Sequence, residues 1–543
     1  MRTATLTALL AVVSPGFHAV AGDMVGGPSV GVYVSPVDGS EQSYGLYAPP
    51  DSGSGAPYPL VVVLDGQPSA LTPGTQGRYA RAARASGCLL MQLPAIAGRL
   101  NGEMGMADTV AAVEDLARRE SVDPDRVYLV GVDEGWSAAW QLACLQPDRW
   151  AALALAGNAT PEFATALCRR HHGPDLLSCA VNLLHVPVLL ALRDPPGTGY
   201  RESVEAALAS ARIEAATNLV AAAEEAFEQA LCRWLRGHTR GGAPTRVHFR
   251  APGLNCGRSY WAEIQEMKAP GRFAELKAWM EGPSTLRVRC GNVRKFALDL
   301  DAGFIEAPGP VEVFINDFIE PLRCAERRTY AFEAADAAGA AWSEAGGDWP
   351  GLYKRAGREG PICRFFNSPF VVVKCSSVRK DVENAVAGVA ADLADSWRRY
   401  RGADPRVIHE AELSDETVDS LNVVVVGVPS ATNLANRIQV AMPVCLVNGR
   451  ARLGRETIKA PNLGIRAVYP NPLNSDRLVL VLSANSARAL ERAWSNAGFE
   501  SDWEVYTVSK EGLETTLARG LFDARWQVAT PGPDHDFSMR RNR

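Results

Sequence analysis

Pro59-Leu60-Val61-Val62-Val63-Leu64 carries no polar side chain at any position. A strand of that kind is buried on both faces, as in a parallel sheet with helices packed on either side. The residues that follow keep one rhythm. Helical stretches at Arg78–Ser86, Met106–Arg119 and Gly135–Gln146 alternate with strand-like runs at Leu89–Leu93, Arg126–Val130, Trp150–Ala156 and Val186–Leu192. Such alternation predicts an α/β doubly wound sheet. Short strands at Gly31–Val34 and Ser43–Tyr47, around the turn Asp38-Gly39, open it as a hairpin. Glu202 to Arg236 predicts two helices breaking near Thr217-Asn218, Thr245–Arg250 a further strand, and Tyr260–Gly282 a helix.

The chain, at 543 residues, exceeds the ~100–200 residues of one domain. The pattern changes near Pro283. Leu286–Leu300, Val311–Ile315 and Arg328–Phe332 read as strands of a small β-rich insert, and Ala334–Gly347 as a loop. Alternation then resumes through strand Phe370–Lys374, helix Lys380–Tyr400, strands Val407–Glu412 and Asn422–Val426, helix Ala431–Val440, strand Leu478–Leu482 and helix Ser486–Ala497. This is a second three-layer α/β unit. The expected division is a signal peptide over 1–22, a first α/β domain over 30–282, a β-rich insert and linker over 283–361, a C-terminal α/β domain over 362–528, and a tail over 529–543.

Arg2, the apolar run Ala4 to Val13 and the small-residue site Ala19-Val20-Ala21 read as a secretory leader, so the mature chain is expected to be exported. The apolar run falls well short of the ~20 residues that span a bilayer, and no later segment reaches that length without charges. A net charge of −5 gives no electrostatic case for nucleic acid, which would call for a basic patch or stripe. Eleven cysteines are scattered singly, without metal-type pairing. Export would permit a disulfide such as Cys168 with Cys179, but most of the cysteines read as buried small hydrophobes. No metal and no cofactor are implied.

The most informative segment is Asp123-Pro124-Asp125-Arg126-Val127-Tyr128-Leu129-Val130-Gly131-Val132-Asp133-Glu134-Gly135. A strand enters a tight turn between two glycines and a helix follows, the spacing of a nucleophile elbow with Asp133 at its centre. Taken with Tyr44-Gly45-Leu46-Tyr47-Ala48-Pro49, Leu64-Asp65-Gly66, Pro147-Asp148-Arg149-Trp150 and Asn182-Leu183-Leu184-His185-Val186-Pro187, this region resembles the α/β-hydrolase esterases and peptidases of the prolyl-oligopeptidase and feruloyl-esterase type. The likeness covers roughly residues 31 to 282. Val426-Gly427-Val428-Pro429-Ser430-Ala431-Thr432-Asn433 and Tyr469-Pro470-Asn471-Pro472-Leu473-Asn474 resemble the C-terminal extension of some exported bacterial members.

The resemblance implies a Ser/Asp/His triad, and this sequence departs from it. Asp133 stands at the serine position, and Asp194 fits the acid. The histidine is missing: the expected stretch reads Gly257-Arg258-Ser259-Tyr260-Trp261, with Asn255 or Cys256 in another register, and no histidine lies between His248 and His409. A guanidinium stays protonated and cannot take a serine proton. The same likeness places oxyanion-hole donors near Gln67 and at Glu134, where two acidic side chains now crowd a developing negative charge. Asp/Arg/Asp in place of the triad suggests an ion pair from Arg258 to Asp133 or Asp194.

Each position also has a plainer account. Asp tolerates the positive φ of a strained elbow; Asp194 can begin the turn Asp194-Pro195-Pro196-Gly197; His248 fits a satisfied core histidine; His171-His172 lies in a polar loop. Asp65, Trp136, Tyr260 and Trp261 could line the old cleft or simply pack. The expectation is a non-catalytic homologue that binds a small molecule, a carbohydrate ester or a partner surface. The alternative is a hydrolase with Asp133 as nucleophile, and a scaffold is the third class. A histidine brought to the elbow from afar, such as His409, would restore a base.

Overall fold

Runs of β-branched and apolar residues alternating with amphipathic stretches give three layered units. The computed structural model describes residues 28–49, 57–65, 77–94, 102–158, 176–193, 199–217, 224–335, 341–346, 351–494 and 500–528. The proposed leader and tail, Gln67, Asp194, Cys168 and His171-His172 lie outside these residues.

The first unit is an eight-stranded sheet ordered β1-β2-β4-β3-β5-β6-β7-β8. Its strands are β1 (Pro28–Val34), β2 (Glu41–Tyr47), β3 (Tyr58–Asp65), β4 (Leu89–Pro94), β5 (Val122–Val132), β6 (Ala152–Asn158), β7 (Val188–Arg193) and β8 (Ala215–Ala216). β2 runs antiparallel to both neighbours and the rest of the sheet beyond it is parallel. Helices α1 (Gly77–Ser86), α2 (Gly102–Arg119), α3 (Trp136–Leu145), α4 (Tyr200–Ser210) and α5 (Glu224–Arg236) accompany it. Two separate apolar clusters form, one containing Leu60, Val62 and Leu64 and the other Val61 and Val63. The continuous apolar strand is therefore buried on both faces, as its sequence predicts.

The second unit begins earlier than expected. β9 (Arg246–Ala251), the predicted last strand of the first sheet, pairs instead with β12 (Ala274–Gly282). The predicted helix Tyr260–Gly282 is β10 (Arg258–Ser259), β11 (Ala262–Met267) and β12. Here the burial period is two: Ala274, Leu276 and Ala278 point inward and alternate with half-buried Glu275, Lys277 and Trp279. Glu, Lys and Met favour helices in isolation, and the packed sheet overrides that preference. With β13 (Thr285–Gly291), β14 (Val293–Asp299), β15 (Val311–Ile315), β16 (Leu322–Cys324), β17 (Thr329–Ala334) and β18 (Trp342–Glu344), these strands make two five-stranded sheets. Both contribute to one core, with Phe249, Leu276 and Val288 meeting Ile264, Phe296 and Phe332. The insert is a β-sandwich spanning 246 to 344, and the boundary drawn at 282/283 moves upstream to follow α5.

The third unit is a seven-stranded sheet. Arg406–His409, Phe370–Lys374, Asn422–Gly427 and Asn474–Ala484 are parallel, and Leu463–Asn471, Trp503–Val508 and Glu514–Gly520 continue it antiparallel. The long helix Lys380–Arg401 covers it. The two other predicted helices are shorter, Leu434–Gln439 and Ala487–Leu490. Among the described residues no helix is long and apolar enough to cross a membrane. Eight of the ten described cysteines are buried.

Candidate functional site at the elbow

β5 delivers Asp133 at its carboxyl end, where one 3-10 turn, Asp133–Gly135, leads into α3. Asp133 has φ 48°, the left-handed conformation the motif demands. The flanking glycines are there for space. A Cβ on Gly131 would lie 2.6 Å from the Trp136 Cα, and one on Gly135 only 2.0 Å from the Leu64 carbonyl oxygen in β3. The turn is thus a true elbow, held by close backbone approach. The sheet is doubly wound, and the turn has the geometry of a nucleophile elbow.

The carboxylate that replaces the nucleophile is fixed sideways. The Asn158 amide, at the end of β6, donates to Asp133 Oδ1 over 2.8 Å. Gly157, at φ 84°, makes room for it, since a Cβ there would meet that same oxygen at 2.3 Å. A negative charge at the start of a helix is also favoured by the helix dipole. Asp133 therefore has three structural reasons to be where it is: φ, a backbone hydrogen bond and a helix N-terminus.

The expected pairing of Arg258 with Asp133 does not form, and Asp194, its other expected partner, lies outside the described residues. Arg258 is exposed in the two-residue β10, and no ion pair joins it to Asp133 among the described residues. Its charge acts instead on Asp148, whose carboxyl burial pushes upward while Arg149, Arg258 and Arg240 oppose the shift. The reason is the misplaced strand: β9 and β10 belong to the sandwich, not to the sheet that presents Asp133. The last strand of that sheet is Ala215–Ala216, followed by Thr217-Asn218-Leu219-Val220-Ala221-Ala222-Ala223, again without a histidine.

The described histidines are all engaged elsewhere. His185 Nε2 meets the Arg246 carbonyl at 2.7 Å and its ring stands edge-on to Tyr260. His238 packs on Trp234, and its carbonyl accepts from Tyr128. His248 is half-buried and pairs with Glu275 at 2.7 Å, on the outer face of the sandwich rather than in a core. His409 caps a short turn in the third unit through Glu412. None is hydrogen-bonded to Asp133.

The proposed cleft residues divide between two units: Asp65, in register with Val132, and Glu134 and Trp136 lie at the elbow, while Tyr260 and Trp261 belong to the sandwich. Asp65, at the end of β3, accepts from Gln92 at 3.1 Å, and Glu134 follows Asp133 in the elbow turn. Trp136 is buried in the first unit, whereas Trp261 stacks on Phe304 at 4.0 Å in the sandwich core. Burial, reinforced by Asp148, pushes the Tyr260 hydroxyl up to about 12. Asn255, the alternative histidine register, is structural: its side chain donates to Glu103 at 2.9 Å and its amide to Glu359 at 2.8 Å. A cavity of about 110 Å³ opens where the sandwich meets the third unit, between Leu254, Met267, Glu359, Arg364 and Asp502, and its lining includes no elbow residue. Among the described residues no cluster of His, Cys, Asp and Glu could hold a metal ion.

Sequence reasoning missed the buried ion-pair hubs that join the units. Arg364 reaches Glu103 of α2 at 2.7 Å and Glu359 at 3.0 Å, and Asn367 donates to the same Glu103 at 2.6 Å. Arg401, ending the long helix, contacts Asp108 at 2.6 Å and Asp38 at 3.2 Å. Apart from Glu359, these partners lie hundreds of residues from Arg364, Asn367 or Arg401, and nothing local announces them.

No family model matches this sequence, and no curated protein matches it. Among solved structures, a thermostable esterase is 18% identical with a TM-score of 0.30, over 39% of this chain and 63% of its own, so the match spans under two thirds of that esterase. A fluorophosphonate-binding serine hydrolase of Staphylococcus aureus is 14% identical, TM-score 0.32, over 39% of this chain and 98% of its own. An S-formylglutathione hydrolase from Agrobacterium tumefaciens is 14% identical, TM-score 0.32, over 40% and 98%.

Proposed function

We propose that this protein is an exported, non-catalytic α/β-hydrolase homologue that works by binding, its elbow region taking a small molecule or carbohydrate ester. One observation carries the reading: the side chain at the nucleophile position is a carboxylate hydrogen-bonded to the Asn158 amide, seated over Gly157, with no described histidine in contact. Acyl transfer at such a turn requires a group that removes and returns a proton. An aspartate nucleophile would form an ester whose hydrolysis needs a base to activate water, and the contacts of Asp133 supply none. Export rests on the leader-like segment from Arg2 to Ala21.

The test uses the purified full chain with activated short-chain esters. The expected result is no turnover above background, and the same rate in Asp133→Asn. Turnover that Asp133→Asn abolishes would overturn the proposal in favour of an aspartate nucleophile. Binding is read separately by thermal shift with acetylated or feruloylated oligosaccharides, because a ligand that binds only the folded state raises Tm.

A further inference from the structure

The sheet β16-β15-β13-β12-β9 gives one face to the sandwich core and the other to solvent. Pairing register fixes what the outer face shows. Arg246 is opposite Trp279, Trp279 opposite Arg287, and Arg287 opposite Phe314, a row of alternating cations and aromatics across four strands. In the next row His248 is opposite Lys277, and Lys277 opposite Arg289. Lys277 Nζ lies 5.3 Å from the Trp279 ring centroid, and the Arg287 guanidinium 4.9 Å from that of Phe314.

Carboxylates on this face sit at its margins. Glu275 pairs with His248 and Arg250, and Glu281 pairs with Arg287 at 2.6 Å. Arg246, Lys277 and Arg289 have no ion pair among the described residues. Like charges directly opposite in a sheet are destabilising, yet Lys277 faces Arg289 in a chain with 61 acidic against 56 basic residues. Lys277 and Arg289 thus face each other with no ion-pair partner among the described residues, and an external anion would relieve their repulsion.

We infer that this outer face of the sandwich binds an acidic polysaccharide, with the polymer's carboxylates seated along Arg246, Lys277 and Arg289. Lys277 and Arg289 lie on neighbouring strands, about 4.8 Å apart and close to the advance of one ring in an extended sugar chain, and Arg246 lies diagonally across from Lys277 in the adjacent row. Guanidinium groups hold carboxylates through paired hydrogen bonds. Single-stranded nucleic acid fits less well, because it uses aromatic faces as stacking platforms and Trp279 and Phe314 each already carry a cation over the ring. The inference does not depend on what the elbow does.

Affinity electrophoresis and calorimetry of the full chain with polygalacturonate test it. Polygalacturonate is expected to bind, to weaken as salt rises, and to bind roughly tenfold less tightly to the double variant Lys277→Ser/Arg289→Ser. Arg246→Gln, changed alone at an exposed position, gives a second reading if the double variant folds poorly. Fully methyl-esterified polymer is expected not to bind. Equal binding of the esterified polymer, unchanged binding by both variants, or tighter binding of single-stranded DNA than of polygalacturonate would each overturn the assignment.

Discussion

Arg401→Leu is expected to cost about 3–5 kcal/mol of stability, measured by urea unfolding, because it removes one partner of a buried ion network. Arg401 is 1% exposed although it carries a full charge. Its guanidinium meets Asp108 at 2.6 Å, the Ser35 hydroxyl at 2.9 Å and Asp38 at 3.2 Å, and Ser35 in turn donates to Asp108 at 2.6 Å. Leucine could fill much of the volume but would leave both carboxylates buried without their cation. The damage also falls at a junction, since Arg401 ends the helix of the third unit while its partners lie in the hairpin and α2 of the first. Calorimetry of the variant is therefore expected to separate the two units into distinct transitions.

The same network sets an acid limit. Burial by itself would raise the Asp38 carboxyl, but hydrogen bonds from Ser40 and the charge of Arg401 hold it below its usual value. A carboxyl depressed in the folded state stabilises the protein above its unfolded pKa, near 3.9, and that contribution is lost as pH falls through the lower folded value. Wild-type stability is expected to drop below about pH 4. Asp38→Asn, which has no such titration, should show a flatter curve there, and a parallel curve would mean Asp38 is not the group responsible.

How much of this was legible depended on the range of the physics involved. The elbow could be read because its requirements are local: two glycines at fixed spacing and a residue that tolerates positive φ. The apolar run in β3 could be read because burial on both faces removes all alternation. β8 could not, since a two-residue strand at Ala215–Ala216 leaves no pattern. Losing it displaced the whole search for the histidine into the sandwich, and so produced the false partnership of Asp133 with Arg258. Tyr260–Gly282 misled because helix-favouring residues occupied the outer positions of a strand. The Arg364 and Arg401 hubs, like the row from Arg246 to Phe314, exist only once register and docking are known.

Gly135→Ala is expected to be as damaging as any single methyl group can be here, at or above about 3 kcal/mol, the upper range for overpacking a core. Its Cβ would sit 2.0 Å from the Leu64 carbonyl oxygen and 2.5 Å from the carbonyl carbon. Both are backbone atoms of β3, which is hydrogen-bonded to β4 on one side and β5 on the other and cannot yield. Gly241→Ala makes the control, with nothing within 4 Å of the added methyl, and should be neutral. Gly157→Ala falls between: its methyl strikes the Asp133 carboxylate, which a side-chain rotation can relieve, but φ 84° still penalises alanine. Asp133→Ala removes the closest obstacle, leaving the backbone nitrogen of residue 133 at 3.0 Å, so the double variant should be more stable than the sum of the single losses predicts. Strict additivity in that cycle would mean that Gly157 is needed for its backbone angle alone, and that the carboxylate at the elbow is not held in the place described.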